Sequence, residues 1–264
     1  MIELKHIRGG YGKHTVVFDV SATFSSGEIT SLVGANGCGK STLLMMCAGL
    51  LSLRSGEVLL NGKDISKIPR NSLAKQLSYL GQSQSTSNIT VESLVSHGRF
   101  PYLGYPRTYS DQDREKIHNA MVLAGVADLS HKLLNELSGG QQQRARIAMM
   151  LAQDTEVVLL DEPLTFLDIR HQLELMALIL HLKTIGKTVI TVMHDLNLAL
   201  TYSDKVAVME KGRIIAFDRP DAIVHGDALT SSLGIRAFYS REANQYFFMP
   251  VKQNEQLSFD DITF

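Results

Sequence analysis

The run Gly34-Ala35-Asn36-Gly37-Cys38-Gly39-Lys40-Ser41 fits the spacing G-x-x-x-x-G-K-[ST]. Glycines at those intervals let successive backbone N–H groups curl around an anion, and a helix starting at the lysine adds the positive end of its dipole. In that arrangement Lys40 meets β- and γ-phosphate oxygens, and the Ser41 hydroxyl is offered to Mg²⁺. A nucleoside triphosphate is the implied ligand. A glycine-rich turn with an exposed lysine is the competing reading. The flanks argue against it, because the apolar run Ile29–Val33 precedes the glycines and STLLMMCAGLL (41–51) follows as a helical run.

Val157-Val158-Leu159-Leu160-Asp161-Glu162 reads as a buried strand ending in two carboxylates, at the end where parallel sheets bind ligands. Alternation along a strand sends the two acids opposite ways, which assigns Asp161 to the metal and Glu162 to the water attacking the γ-phosphorus. A solvated strand end is the bland alternative. Leu137-Ser138-Gly139-Gly140-Gln141, followed by QQRARIAMMLA, pairs a Ser-Gly-Gly turn with a helix. Taken alone, this is most simply a capped helix start; placed between the other two motifs, it reads as a second anion-receptive helix N-terminus.

The elements that must position these residues alternate. VVFDVSATF (16–24) has a period of two, with Val16, Val20, Ala22 and Phe24 on the face of Phe18, and reads as a half-buried strand. Further strands are expected at Ile29–Val33, Glu57–Leu60, Leu77–Leu80, Val157–Leu160, Thr188–Met193 and Val206–Met209, with a helix at Ile169–Ile185. The polar stretch GQSQSTSN (81–88) marks a boundary near residue 82. Between Thr90 and Asn135 the spacing of Ile117, Met121 and Ala124, after an Asp111/Asp113 start, is helical, so a helical lobe is inserted in an α/β body whose main sheet is parallel.

The chain has 264 residues, 44% hydrophobic and 20% charged, which excludes disordered, collagenous and disulfide-scaffold classes. Its net charge of −1 supplies no field for holding a nucleic-acid backbone, so no nucleic-acid partner is expected. Two cysteines, Cys38 and Cys47, are too few for a staple or zinc cluster and suit a reducing compartment. No apolar run has the length of a signal core or a membrane span, so the chain is expected to be neither exported nor membrane-spanning.

The order of GANGCGKS, LSGGQ and VVLLDEP resembles the ATP-binding subunits of ABC transporters, over residues 2 to about 230. The resemblance implies a P-loop NTPase fold of ABC type, α/β with an N-terminal antiparallel β portion. It places the ATPase domain at 1–235, with its helical lobe at about 83–136, and leaves 236–264 as an unassigned extension. It also implies ATP and Mg²⁺ as cofactors, with the phosphate contacts running from Gly34 through Thr42. Two copies would pack head to tail, the Ser138, Gly139, Gly140 and Gln141 turn of one capping the γ-phosphate held by Lys40 of the other. Tyr11 resembles the aromatic residue that stacks on adenine, with a core tyrosine as the alternative. Gln82 resembles the glutamine that senses Mg²⁺, Asp168 the aspartate turn at the dimer interface, and His194 the switch histidine at the γ-phosphate. Leu164 departs from the usual Thr or Ser after Asp-Glu-Pro.

GANGCGKSTLL, HGRFPYLG (97–104) and PLTFLDIRHQLEL (163–175) are similar to the subgroup serving iron-siderophore, haem and cobalamin importers. The implied partners are transmembrane permease subunits and, indirectly, an extracytoplasmic solute-binding protein, with the chain peripheral on the cytoplasmic face of the bacterial inner membrane. Rival classes are a soluble ABC ATPase without a transport role and a nucleotide sensor without hydrolysis; the single motif set and the presence of Glu162 argue against them. In His97–Tyr105, Phe100 and Tyr102 are either partner anchors or ordinary core packing.

Overall fold

The computed structural model describes residues 1–81, 88–240, 242 and 245–251. In chain order the strands are β1 (Ile2–Gly9), β2 (Val17–Phe24), β3 (Ile29–Val33), β4 (Leu53–Leu60), β5 (Lys63–Asp64), β6 (Leu77–Leu80), β7 (Val157–Asp161), β8 (Thr188–Val192), β9 (Lys205–Glu210), β10 (Arg213–Asp218), β11 (Ile235–Ser240) and β12 (Gln245–Pro250). The helices are α1 (Lys40–Cys47), α2 (Arg70–Ala74), α3 (Val91–Ser96), α4 (Asp111–Leu123), α5 (Gly139–Gln153), α6 (Ile169–Thr184), α7 (Leu196–Tyr202), α8 (Pro220–His225) and α9 (Ala228–Leu233).

A six-stranded sheet, ordered β10-β9-β3-β8-β7-β6, forms the body. It is parallel throughout except for the β9–β10 pair. Strands β3, β7 and β8 are buried at every residue, as expected when helices or a second sheet cover both faces. One face carries Leu32, Leu159, Ile190 and Val192 against the antiparallel sheet β2-β1-β4-β5 and helix α1. The other carries Val33, Leu160 and Val189 against α5, α6 and α7. Register sets the chemistry: Leu32 and Asp161 both lie opposite Val192, so β3, β7 and β8 end together. The segments that follow them, beginning at Gly34, Glu162 and Met193, therefore leave the sheet along one edge.

The alternation expected over 16–24 is interrupted. Asp19 takes φ 51°, which resets the pleat, so Val17 is buried in place of Val16 and Phe18 is only half-buried. Strands also continue into the segment after residue 235 that the sequence leaves unassigned. Strands β11 and β12 form an antiparallel hairpin that buries Ala237 and Tyr246 in the same cluster as Leu160 and Val189.

The lobe has its own core, in which Val91, Val95, Ile117, Ala120 and Met121 meet one side of α5 at Ala145, Ala148 and Ala152. The opposite side of α5 gives Ile147 and Met150 to the body. Ser110 caps α4 through a reciprocal bond with Asp113, the start expected from the two aspartates. Arg99 donates to Asp113 at 2.8 Å and to the Ala152 carbonyl at 3.0 Å, with both partners of the ion pair buried. Its guanidinium lies 3.8 Å from the centre of the Tyr102 ring, and the Tyr102 hydroxyl donates to the Gln153 carbonyl at 2.9 Å. Tyr102 is thus committed to holding the lobe on α5, whereas Phe100 remains exposed.

Asp154, in the left-handed region at φ 51°, ends α5 and takes Lys116 from α4 at 2.5 Å and Lys187, just before β8, at 2.8 Å. Burial alone would raise its pKa, but hydrogen bonds and charge from the two ammonium groups outweigh it and bring the value down to about 2. A carboxyl depressed in the folded state contributes stability above its unfolded pKa, about 3.9, and loses that contribution as pH falls through the folded value. Asp154→Asn keeps the left-handed backbone accessible. Its Tm is expected to lie below that of the wild type at about pH 6, with the gap closing between roughly pH 4 and 2 in a melting series. A constant gap would show that the two bridges do not depend on the charge.

Candidate active site

The phosphate loop is shaped by its glycines. Gly34, Gly37 and Gly39 have φ of 148°, 75° and 107°, where a side chain is strained. A Cβ on Gly34 would lie 2.3 Å from the Met209 carbonyl oxygen, whereas at Gly37 nothing lies within 4 Å and the backbone faces open space. Lys40 is buried and donates to the carbonyls of Gly34 and Ala35 at 2.8 and 3.0 Å, so its ammonium sits inside the curve of the loop. The Cys38 sulfur is 3.9 Å from that ammonium. Both cysteines are free and buried; burial pushes the Cys47 thiol up to about 12.

The Ser41 hydroxyl donates to Asp161 Oδ1 at 2.8 Å, joining the start of α1 to the end of β7. Burial is the largest influence on the Asp161 carboxyl and raises its pKa. The hydrogen bonds from Ser41 and Tyr79 only partly offset this. Glu162 leaves the strand differently from the expected pleat: β7 ends at Asp161, and Glu162 takes φ 51°. Its direction is set by that left-handed residue rather than by alternation. Glu162 Oε1 lies 2.5 Å from Nε2 of His194, so the β7 and β8 ends are joined by a carboxylate–imidazole contact. Together with Gln172, Thr165 and Asp195 these two residues line a cavity of about 160 Å³.

Tyr11 is half-exposed on the turn after β1, and its hydroxyl reaches the Met45 sulfur on α1 at 3.5 Å. The turn is clamped by Arg54, which donates to Thr15 and to the Gly12 carbonyl at 2.7 Å each. A core tyrosine is therefore not what the turn presents. Asp168 caps α6, accepting from the His171 backbone at 2.9 Å and pairing with the His171 ring at 2.8 Å. The His171 backbone bond is the main cause of its lowered pKa. Ser138 and Gln141 form a reciprocal cap on α5, so the capping reading of that turn is realised in the chain itself. Both Ser138 and Gly139 are exposed, and the turn packs against Phe166 and Leu167. Leu164, the departure in this region, is half-buried against the body core. Gln82 lies outside the described residues.

Two contributors escape a motif reading. Tyr79 donates to Asp161 Oδ2 at 3.2 Å, and buried Gln143, on α5, donates to the Pro163 carbonyl at 3.0 Å, just past Glu162. Their signal in the sequence is position alone, near the end of β6 and one turn into α5.

The chain matches the ABC transporter family model over residues 17–165, more than half its length. The chain belongs to the ABC transporter family. The iron(3+)-hydroxamate import ATP-binding protein FhuC of Bacillus subtilis is 43% identical to this ABC subunit over 208 residues, 78% of this chain and 77% of that protein. The ferric enterobactin transport ATP-binding protein FepC of Escherichia coli is 38% identical over 229 residues, 86% and 84% of the two chains. The dimeric bacterial ABC transporter cassette MJ0796 superposes with a TM-score of 0.75 at 27% identity, covering 83% of this chain and 99% of that one. MJ0796 is also known in a post-hydrolysis state with ADP and Pi bound. This ABC subunit is accordingly a nucleotide-binding ATPase. No helix among its described residues is long and apolar enough to cross a membrane.

Proposed function

We propose that this chain is the ATP-hydrolysing subunit of a bacterial importer for iron-siderophore complexes. Two copies would work head to tail beneath a pair of transmembrane permease subunits on the cytoplasmic face of the inner membrane, with an extracytoplasmic binding protein delivering the solute. The observation that carries the catalytic part is the shared edge on which the Ser41–Asp161 and Glu162–His194 pairs meet beside Lys40. The solute class rests on FhuC and FepC, whose names specify hydroxamate and enterobactin iron complexes.

In this reading the loop N–H groups and Lys40 hold the β- and γ-phosphates, and Tyr11 offers its ring to adenine. Ser41 and Asp161 present adjacent hard oxygen donors, the set that suits Mg²⁺. A bound Mg²⁺ would neutralise phosphate charge, and the cost of burying the Asp161 carboxylate would fall beside it. Gln82 is assigned to the same ion. Glu162 accepts the proton of the attacking water, and His194 holds the carboxylate in place. The Ser138, Gly139, Gly140 and Gln141 turn, exposed at Ser138 and Gly139, serves the partner copy's nucleotide, with Asp168 beside it at the interface. The helical lobe is the face offered to the permease, with Phe100 as its exposed anchor.

Ser138→Arg tests the division of labour. The isolated variant is expected to bind ATP normally and to stop turning over, with a stability loss of about 1 kcal/mol from the missing cap. If capping were the only role, melting would show the same loss while activity stayed intact. For the solute, deletion of the gene is expected to impair growth only when iron is supplied as a siderophore complex. Undiminished siderophore uptake with lost cobalamin or haem uptake would reassign the solute and leave the ATPase untouched.

A further inference from the structure

Asp161 is tied at both carboxylate oxygens. Ser41 donates to Oδ1, and the Tyr79 hydroxyl donates to Oδ2 at 3.2 Å. In the β6–β7 register Tyr79 lies opposite Leu159, two residues short of Asp161. Two strand residues span about 6.6 Å, a gap that a tyrosine leaning along the strand bridges and a serine or threonine does not. The neighbouring backbone makes room for the ring: a Cβ on Gly81 would stand 2.7 Å from Tyr79 Cε1. The ring is half-buried and packs on the cluster that includes Leu159 and Leu77.

We propose that Tyr79 is a positioning residue for the ATPase reaction, its hydroxyl fixing the Asp161 carboxylate in the orientation that receives Mg²⁺. The proposal rests on the assignment of Asp161 to the metal. A carboxylate bonded at one oxygen only can turn about its Cβ–Cγ bond, and the second donor removes that freedom. A phenol is protonated at neutral pH and so serves as the donor. Residues that orient a metal ligand in this way are worth about 10–100-fold in metal affinity.

Tyr79→Phe keeps the ring and removes the donor. The Mg²⁺ concentration giving half-maximal ATPase rate is expected to rise about 10-fold or more. By titration calorimetry, ATP affinity should fall in Mg²⁺ and remain unchanged in EDTA, with little change in Tm. Tyr79→Leu, which also loses ring packing, should lower Tm and show the same altered Mg²⁺ requirement. An unchanged requirement in Tyr79→Phe overturns the proposal, as does an equal loss of affinity with and without Mg²⁺, which is the mark of a structural role. Asp161→Asn tells the two readings apart. If its Mg²⁺ requirement matches the wild type, the metal assignment falls and Tyr79 falls with it; if Asp161→Asn is impaired and Tyr79→Phe is not, only the positioning role is lost.

Discussion

Glu162→Gln is expected to slow ATP hydrolysis by roughly 10²–10⁴-fold while ATP still binds, the range for removing a positioned general base. The amide has the shape of the carboxylate, so the backbone at φ 51° and the placement beside His194 are retained. It has no lone pair basic enough to take the proton of the attacking water. In the proposed site the phosphate contacts come from Lys40 and the loop, which the substitution does not touch. With ATP bound and not consumed, two chains should remain associated, visible by light scattering as a dimer only when ATP is present. A single-turnover measurement isolates the chemical step. Wild-type turnover in the variant would transfer the base role to His194, whose ring touches the Glu162 carboxylate.

Lys40→Ala is expected to weaken ATP binding by roughly 10²-fold or more, since hydrogen bonds to a charged group contribute about 1.5–3 kcal/mol each and the ammonium has room for at least two with phosphate oxygens. The geometry supports a role inside the loop, because Lys40 is 5% exposed and points back onto the Gly34 and Ala35 carbonyls. The same two bonds also brace the loop itself, so a melting curve should accompany the fluorescence titration of nucleotide. Unchanged affinity in a folded variant would remove the phosphate-loop assignment, and no other residue in the 34–42 segment carries a positive charge to replace it.

What was legible in the sequence divides along physical lines. Val157–Leu160 and Ile29–Val33 are continuous apolar runs, and strands covered on both faces have no other way to look, so the parallel body could be read directly. The phosphate loop was legible because its glycines fall where only positive φ fits. The start of strand β2 differs in phase from its sequence pattern, since one left-handed residue, Asp19, shifts every side chain before it and leaves no periodic trace. Strands β11 and β12 show little alternation in the sequence because two large aromatics, Phe238 and Phe247, lie exposed on the outward face and stack across the hairpin. Tyr79 and Tyr102 show the same limit at the level of single residues. One reaches Asp161 and the other Gln153 through contacts between segments far apart in the chain, and no local pattern encodes those partners.

Helix α5 is embedded in two cores, by Ala145 and Ala148 on the lobe side and by Ile147 and Met150 on the body side, and it is pinned at its far end by the two lysines on Asp154. A tilt of the helix would therefore have to carry the lobe core with it, with Asp154 as the pivot. Its 15 residues make it about 22 Å long, so a tilt of about 10° at the pinned end would sweep Ser138 sideways by roughly 4 Å. That exceeds the reach of a hydrogen bond, so in the head-to-tail arrangement proposed above a small angular motion of the lobe would make or break the contact of this turn with the neighbouring copy's nucleotide. In that arrangement the angle of one helix would act as a gear: a push on the lobe by a membrane partner would be magnified on its way to the Ser138 turn, and ATP closing on that turn would be reduced to a small, forceful displacement of the lobe.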